Sequence, residues 1–122
     1  MKKFLLFICF ALTVSFNATA KETTYSKELF DRALADGKVV VVSSWVKYCT
    51  SCASQMKVLD KAKNDFENME YFAFDVTNKE IAQFFNVQYQ TTLLIFKDNK
   101  EVYRSLGETS KALIYKALES SI

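Results

Sequence analysis

Residues 38–46 read Lys-Val-Val-Val-Val-Ser-Ser-Trp-Val, and this nearly unbroken β-branched run constrains the fold more than any other stretch of the chain. A strand without polar alternation has both faces buried, the habit of a central strand in a sheet covered on two sides. Helices must supply the two covers, and the flanking sequence contains them. Ser26 caps a helix running to about Asp36, with Leu29, Phe30, Ala33 and Leu34 on one side and Gly37 as its terminator. Cys49 to about Glu67 fits a second helix, with Met56, Leu59, Ala62, Lys63 and Phe66 near helical spacing. Tyr71–Val76 is a strand candidate, and Asn78 caps a short helix through Phe85. Thr92–Phe96 and Glu101–Leu106 flank Asp98-Asn99, which reads as a hairpin turn. Thr109 or Ser110 opens a final helix with Leu113, Ile114, Ala117 and Leu118 on its apolar side, and residues 21–25 form a short lead-in. Strands separated by helices imply parallel crossovers, and the late hairpin adds an antiparallel pair. The predicted fold class is α/β, a three-layer α/β/α arrangement around a small mixed central sheet.

The first twenty residues follow a different logic. Lys2 and Lys3 precede an apolar run from Phe4 to Val14, and Ala18-Thr19-Ala20 closes the stretch with small residues two apart. These are the three parts of a secretory signal peptide. The run falls short of the roughly 20 apolar residues of a membrane span, and an uncleaved anchor is the alternative. Cys9 lies inside the run behind bulky Phe7-Ile8 and reads as part of the signal. The expected organisation is a signal peptide over 1–20 and one domain over 21–122, in a periplasmic or secreted protein. Lys2 and Lys3 account for the whole formal charge of +2, so the remainder is neutral. That balance gives no electrostatic case for nucleic acid or an anionic membrane as partner.

With Cys9 in the signal, Cys49 and Cys52 are the two remaining thiols, and the chain contains no histidine. They sit where the buried strand gives way to a helix. There the helix dipole and free backbone N–H groups favour the thiolate of the first, lowering its pKa from about 8.5 toward neutrality. Cys49 is then the nucleophile toward a disulfide, and Cys52, one turn in, resolves the mixed disulfide. Three other readings compete with this one. Zinc takes four ligands, so two thiols need a partner chain. A structural disulfide across so short a loop gains little entropy. Two incidental core thiols are a poor account of a pair at a strand–helix junction. Disulfide exchange is the favoured reading.

Trp45-Val-Lys-Tyr-Cys-Thr-Ser-Cys52 resembles the signature of the thioredoxin family, and the resemblance continues through Phe74-Asp-Val76, Asn78, Ile81, Ala82, Val87, Thr92–Lys97 and Leu106-Gly107. It covers the chain from about Ser26 onward. Asp75-Val-Thr77 and the export signal resemble most the C-terminal domain of the periplasmic thiol–disulfide interchange protein. The resemblance implies a protein-disulfide reductase or oxidoreductase acting in electron transport, with Cys49 attacking and Cys52 resolving. It implies no cofactor beyond the redox-active pair, a monomer, protein disulfide or dithiol substrates, and a membrane electron transporter as recharging partner. Tyr48 stands at the aromatic position before the attacker, and Trp45 at the tryptophan packed beneath the site.

Departures from the pattern are equally specific. Thr91 stands where relatives carry a cis-proline, in a chain with no proline. A non-proline cis bond costs about 2.5–4 kcal/mol, so Gln90–Thr91 is expected to be trans. In the family that loop offers backbone hydrogen bonds to a substrate strand and shields the thiols from metal; Thr91 is expected to keep the first role and weaken the second. Ser43 replaces the buried acid that relatives use to deprotonate the resolving thiol, and a hydroxyl is a poor base near neutral pH. Water then takes that proton, or the step is slow. Lys47 is a candidate for favouring the Cys49 thiolate, with a solvated lysine as the plain alternative. Thr50 and Ser51 tune the redox potential. The missing proline and acid keep two other readings open: a redox-inactive binding module of the same fold, and a metal-binding dimer through the same cysteines.

Overall fold

The computed structural model describes residues 23–122, and the expected export signal lies outside the described residues. In chain order the elements are α1 (Lys27–Ala35), β1 (Val39–Trp45), α2 (Thr50–Asp65), β2 (Met69–Asp75), α3 (Lys79–Phe84), β3 (Thr92–Lys97), β4 (Lys100–Leu106) and α4 (Lys111–Ser121). The sheet order is β2-β1-β3-β4, so the valine run is an interior strand. Its alternate side chains serve different layers. Val39 and Val41 join Leu59, Ala62, Ile114 and Leu118 beneath α2 and α4, whereas Val40 and Val42 join Phe30, Ala33, Phe85 and Leu94 beneath α1 and α3. All four valines are essentially inaccessible, and burying each contributes about 1.5–2 kcal/mol.

Local signals set the ends of the elements. Ser26, Asn78 and Ser110 each accept a hydrogen bond from the backbone N–H three residues on, capping α1, α3 and α4. Asp98 and Asn99 both take positive φ (52° and 63°), the backbone that a two-residue hairpin turn demands. β2 starts two residues earlier than the sequence pattern predicts, because Met69 pairs with Val39 and is itself buried. The lead-in also does more than precede α1. Thr23 and Tyr25 exchange backbone hydrogen bonds with Ala73, and Thr24 bridges to it, so this segment covers part of the β2 edge.

One expectation is corrected. β1 and β2 are parallel across α2, but β3 runs antiparallel to β1 although α3 separates it from β2. The reason is length. Six residues of α3 span about 9 Å, against about 23 Å for a seven-residue strand. The chain therefore crosses the end of the sheet rather than returning along it. Both Trp45 and Thr92 consequently lie at the same end, which is where α2 begins.

Candidate active site

β1 delivers Trp45 to the end of the sheet, and the chain turns through Tyr48, at φ +62°, into α2. Cys49 is the N-cap of α2. Its backbone is extended (φ −92°, ψ 106°), and its Sγ accepts the Cys52 N–H at 3.2 Å. The sulfur thus takes the place of the usual Ser or Asp oxygen at a helix end that stabilises negative charge. Cys49 and Cys52 form a disulfide with their Cα atoms 5.3 Å apart. The two sulfurs differ in access: Cys49 is half-buried, whereas Cys52 is 2% exposed.

Thr91 completes the enclosure. Among the described residues there is no cis peptide bond, and Thr91 instead adopts φ +61°. For a β-branched residue this is a sparsely populated conformation that persists only where its surroundings over-determine it. They do so here. Its N–H donates to Ser44 O at 2.9 Å, and its carbonyl accepts from Gly107 N at 2.8 Å and Gln55 Nε2 at 3.3 Å. Ser44 Oγ braces the same loop, donating to Tyr89 O and accepting from Thr92 N. Both backbone groups of Thr91 are therefore engaged within the chain. Its side chain turns to the sulfurs: Oγ1 lies 3.2 Å from Cys52 Sγ, 3.6 Å from Cys49 Sγ and 2.9 Å from Ser51 Oγ.

Ser43 is fully buried, and its Oγ lies 2.7 Å from the hydroxyl of Tyr71, itself 2% exposed. Burial above all raises the Tyr71 pKa well beyond the ordinary tyrosine value; the Ser43 bond works against this and Asp60 adds to it. The pair is a neutral, mutually satisfied hydroxyl couple with no base in it. Lys47 is exposed, and its charge reaches Asp75. That carboxyl is held below its usual range chiefly by the Thr77 N–H, then by the Thr77 hydroxyl, with Lys47 a smaller contributor. Trp45 is half-buried against the α2-side core, while Tyr48 is fully exposed. With Val46, Cys49, Ala53 and Met56 they line an open, largely apolar depression of about 660 Å³ beside the disulfide.

Gln55 escaped the sequence reading. It is completely buried, and its Nε2 joins Thr91 O to Glu108 O, while Oε1 has no hydrogen-bond partner among the described residues. A signal was present: 52, 55, 59 and 62 are the buried positions of α2 and follow a 3-4-3 spacing, the stripe of a core-facing helix. A glutamine in that stripe marks a buried polar contact.

Comparison with known proteins places this arrangement. The family profile described as Thioredoxin matches residues 21–120. Thioredoxin-1 of Saccharomyces cerevisiae is 31% identical over 85 residues, covering 69% of this chain and 82% of the relative. The thioredoxin of Mycobacterium tuberculosis is 32% identical over 91 residues, covering 73% and 78%. Among solved structures, Trxlp from Edwardsiella tarda superposes with a TM-score of 0.73 at 30% identity, covering 78% of this chain and 95% of that one. The chain belongs to the thioredoxin family. Its fold is the thioredoxin fold, here a four-stranded mixed sheet between two helical layers. With a Cys-x-x-Cys disulfide at the start of α2, it is a thioredoxin-like disulfide oxidoreductase.

Proposed function

We propose that Cys49 is the attacking sulfur and Cys52 the resolving one in disulfide exchange with protein partners outside the cytoplasm. One observation carries the assignment: the Cys49 sulfur caps α2 and is partly accessible, while Cys52 is enclosed behind it. In the reducing direction the Cys49 thiolate attacks a substrate disulfide, forming a mixed disulfide and releasing one substrate thiolate. Cys52 then attacks Cys49 Sγ, the intermolecular S–S bond breaks, and the second substrate sulfur leaves. Two electrons pass to the substrate, and the Cys49–Cys52 disulfide holds the oxidised state without a further cofactor. The depression formed with Trp45 and Tyr48 offers apolar surface for a docking chain, and Thr91 closes the other side of the sulfurs.

Residues 1–20 are read as an export signal, which supports a periplasmic or secreted location. A reductant there needs recharging, and a membrane electron transporter delivering dithiol equivalents fits that need. The working unit is proposed to be a monomer. Insulin reduction tests the core of the proposal: wild-type protein is expected to turn over with dithiothreitol as donor, and Cys49→Ser to lose at least about a hundredfold. Wild-type protein without turnover, or Cys49→Ser retaining it, refutes the assignment and favours a binding module.

A further inference from the structure

Resolution of the mixed disulfide requires the buried Cys52 to lose its proton, and the position from which relatives draw it off is closed. Ser43 is paired with Tyr71, and neither hydroxyl is a base near neutral pH. The sulfur has another neighbour. Thr91 Oγ1 lies 3.2 Å from Cys52 Sγ and 2.9 Å from Ser51 Oγ, and Ser51 is exposed to solvent. In the disulfide state the sulfurs carry no hydrogen, so a Thr91 hydroxyl bonded to Cys52 Sγ is the donor to it and accepts from Ser51.

We infer that Thr91 and Ser51 form a hydroxyl relay that carries the Cys52 proton to solvent during resolution. This rests on the proposed roles of Cys49 and Cys52. In the step itself Cys52 Sγ–H gives its proton to Thr91 Oγ1. Thr91 passes its own proton to Ser51, and Ser51 passes one to water. The freed Cys52 electron pair forms the bond to Cys49 Sγ as the bond from Cys49 to the substrate sulfur breaks, and the departing thiolate takes a proton from solvent. Each hydroxyl ends with one proton, in an orientation reversed from its start. In the opposite direction the same chain reprotonates Cys52.

The placement of Thr91 supports a functional role. A positive φ at a β-branched residue is maintained by bonds to Ser44, Gly107 and Gln55, and its consequence is that Oγ1 faces both sulfurs. Thr91 touches the reacting Cys52 sulfur and is catalytic in this sense; Ser51 reaches that sulfur through Thr91, and its own hydroxyl lies 3.4 Å from Cys49 Sγ.

Stopped-flow reaction of the reduced protein with 5,5′-dithiobis(2-nitrobenzoate) resolves the step. Attack by Cys49 releases one thionitrobenzoate, and resolution by Cys52 releases the second. Thr91→Val keeps the shape and branching but removes the hydroxyl. It is expected to lower the ratio of second-phase to first-phase rate by about tenfold or more. Thr91→Ser should restore most of that ratio, and Ser51→Ala, at an exposed site tolerant of substitution, should lower it in the same direction. A ratio of second-phase to first-phase rate unaltered in both Thr91→Val and Ser51→Ala overturns the relay and leaves the roles of the cysteines standing. Thr91→Ser as slow as Thr91→Val also overturns it, since packing rather than the hydroxyl would then be at work. A wild-type first phase no faster than free cysteine defeats the exchange assignment, and the relay with it.

Discussion

Replacing Ser43 and Tyr71 singly and together separates the worth of a hydrogen bond from the cost of leaving it half made. Their oxygens are 2.7 Å apart, and both residues are shut off from water. In Ser43→Ala the phenol loses its partner in a place solvent cannot reach, at a cost of about 2 kcal/mol. Tyr71→Phe strands the serine hydroxyl in the same way, again at about 2 kcal/mol. The double variant leaves nothing stranded and forfeits the net value of one bond, about 1 kcal/mol. The singles therefore sum to about 4 kcal/mol against about 1 for the pair, a coupling of about 3 kcal/mol. Urea denaturation of the four proteins measures it, with one m-value expected throughout. On heating, each single variant should melt roughly 8–16 °C below the wild type, and the double variant above both singles. Effects that add to within about 0.5 kcal/mol would refute the reasoning, because the two hydroxyls would then be satisfied independently of each other.

The same tyrosine shapes the alkaline limit of stability. Its pKa is raised in the fold, so above about pH 10 the unfolded chain ionises first. Stability fully present below that pH then falls as pH climbs toward the folded value. Tyr115, pushed up to about 12 by desolvation and then by its bond to Asp65, acts in the same direction, and so does Tyr25. Urea midpoints between pH 9 and 12 should fall less steeply in Tyr71→Phe than in the wild type; identical slopes would place the cause at other groups. For the export signal, the chain expressed from Met1 in a bacterium should accumulate outside the cytoplasm with Lys21 as its first residue. An intact mass that includes Met1 in the exported fraction would contradict cleavage after Ala20.

Parts of the site governed by near neighbours were legible in advance. Ser26, Asn78 and Ser110 cap helices because a short polar side chain reaches an N–H three residues on, and that geometry is independent of the rest of the fold. Cys49 follows the same rule with sulfur in place of oxygen. The position of Gln55 on the core-facing stripe of α2 is local, but its partners are not; only the packing of α2 against the Thr91 loop and Glu108 gives its amide two carbonyls to bind. Ser43 stands out locally as a hydroxyl following a run of valines, but its partner lies 28 residues away.

The sequence by itself determined the interior strand, the helix starts, the Asp98-Asn99 turn and the pair of thiols at a helix tip, because each depends on conformational preferences or hydrogen bonds spanning a few residues. Tertiary structure alone decided that β3 runs back along β1, that Tyr71 satisfies Ser43, and that the Thr91 hydroxyl comes to rest between two sulfurs and Ser51. Those outcomes depend on sheet register and on how far a short helix carries the chain, which bring together groups 28 to 42 residues apart that no local rule connects.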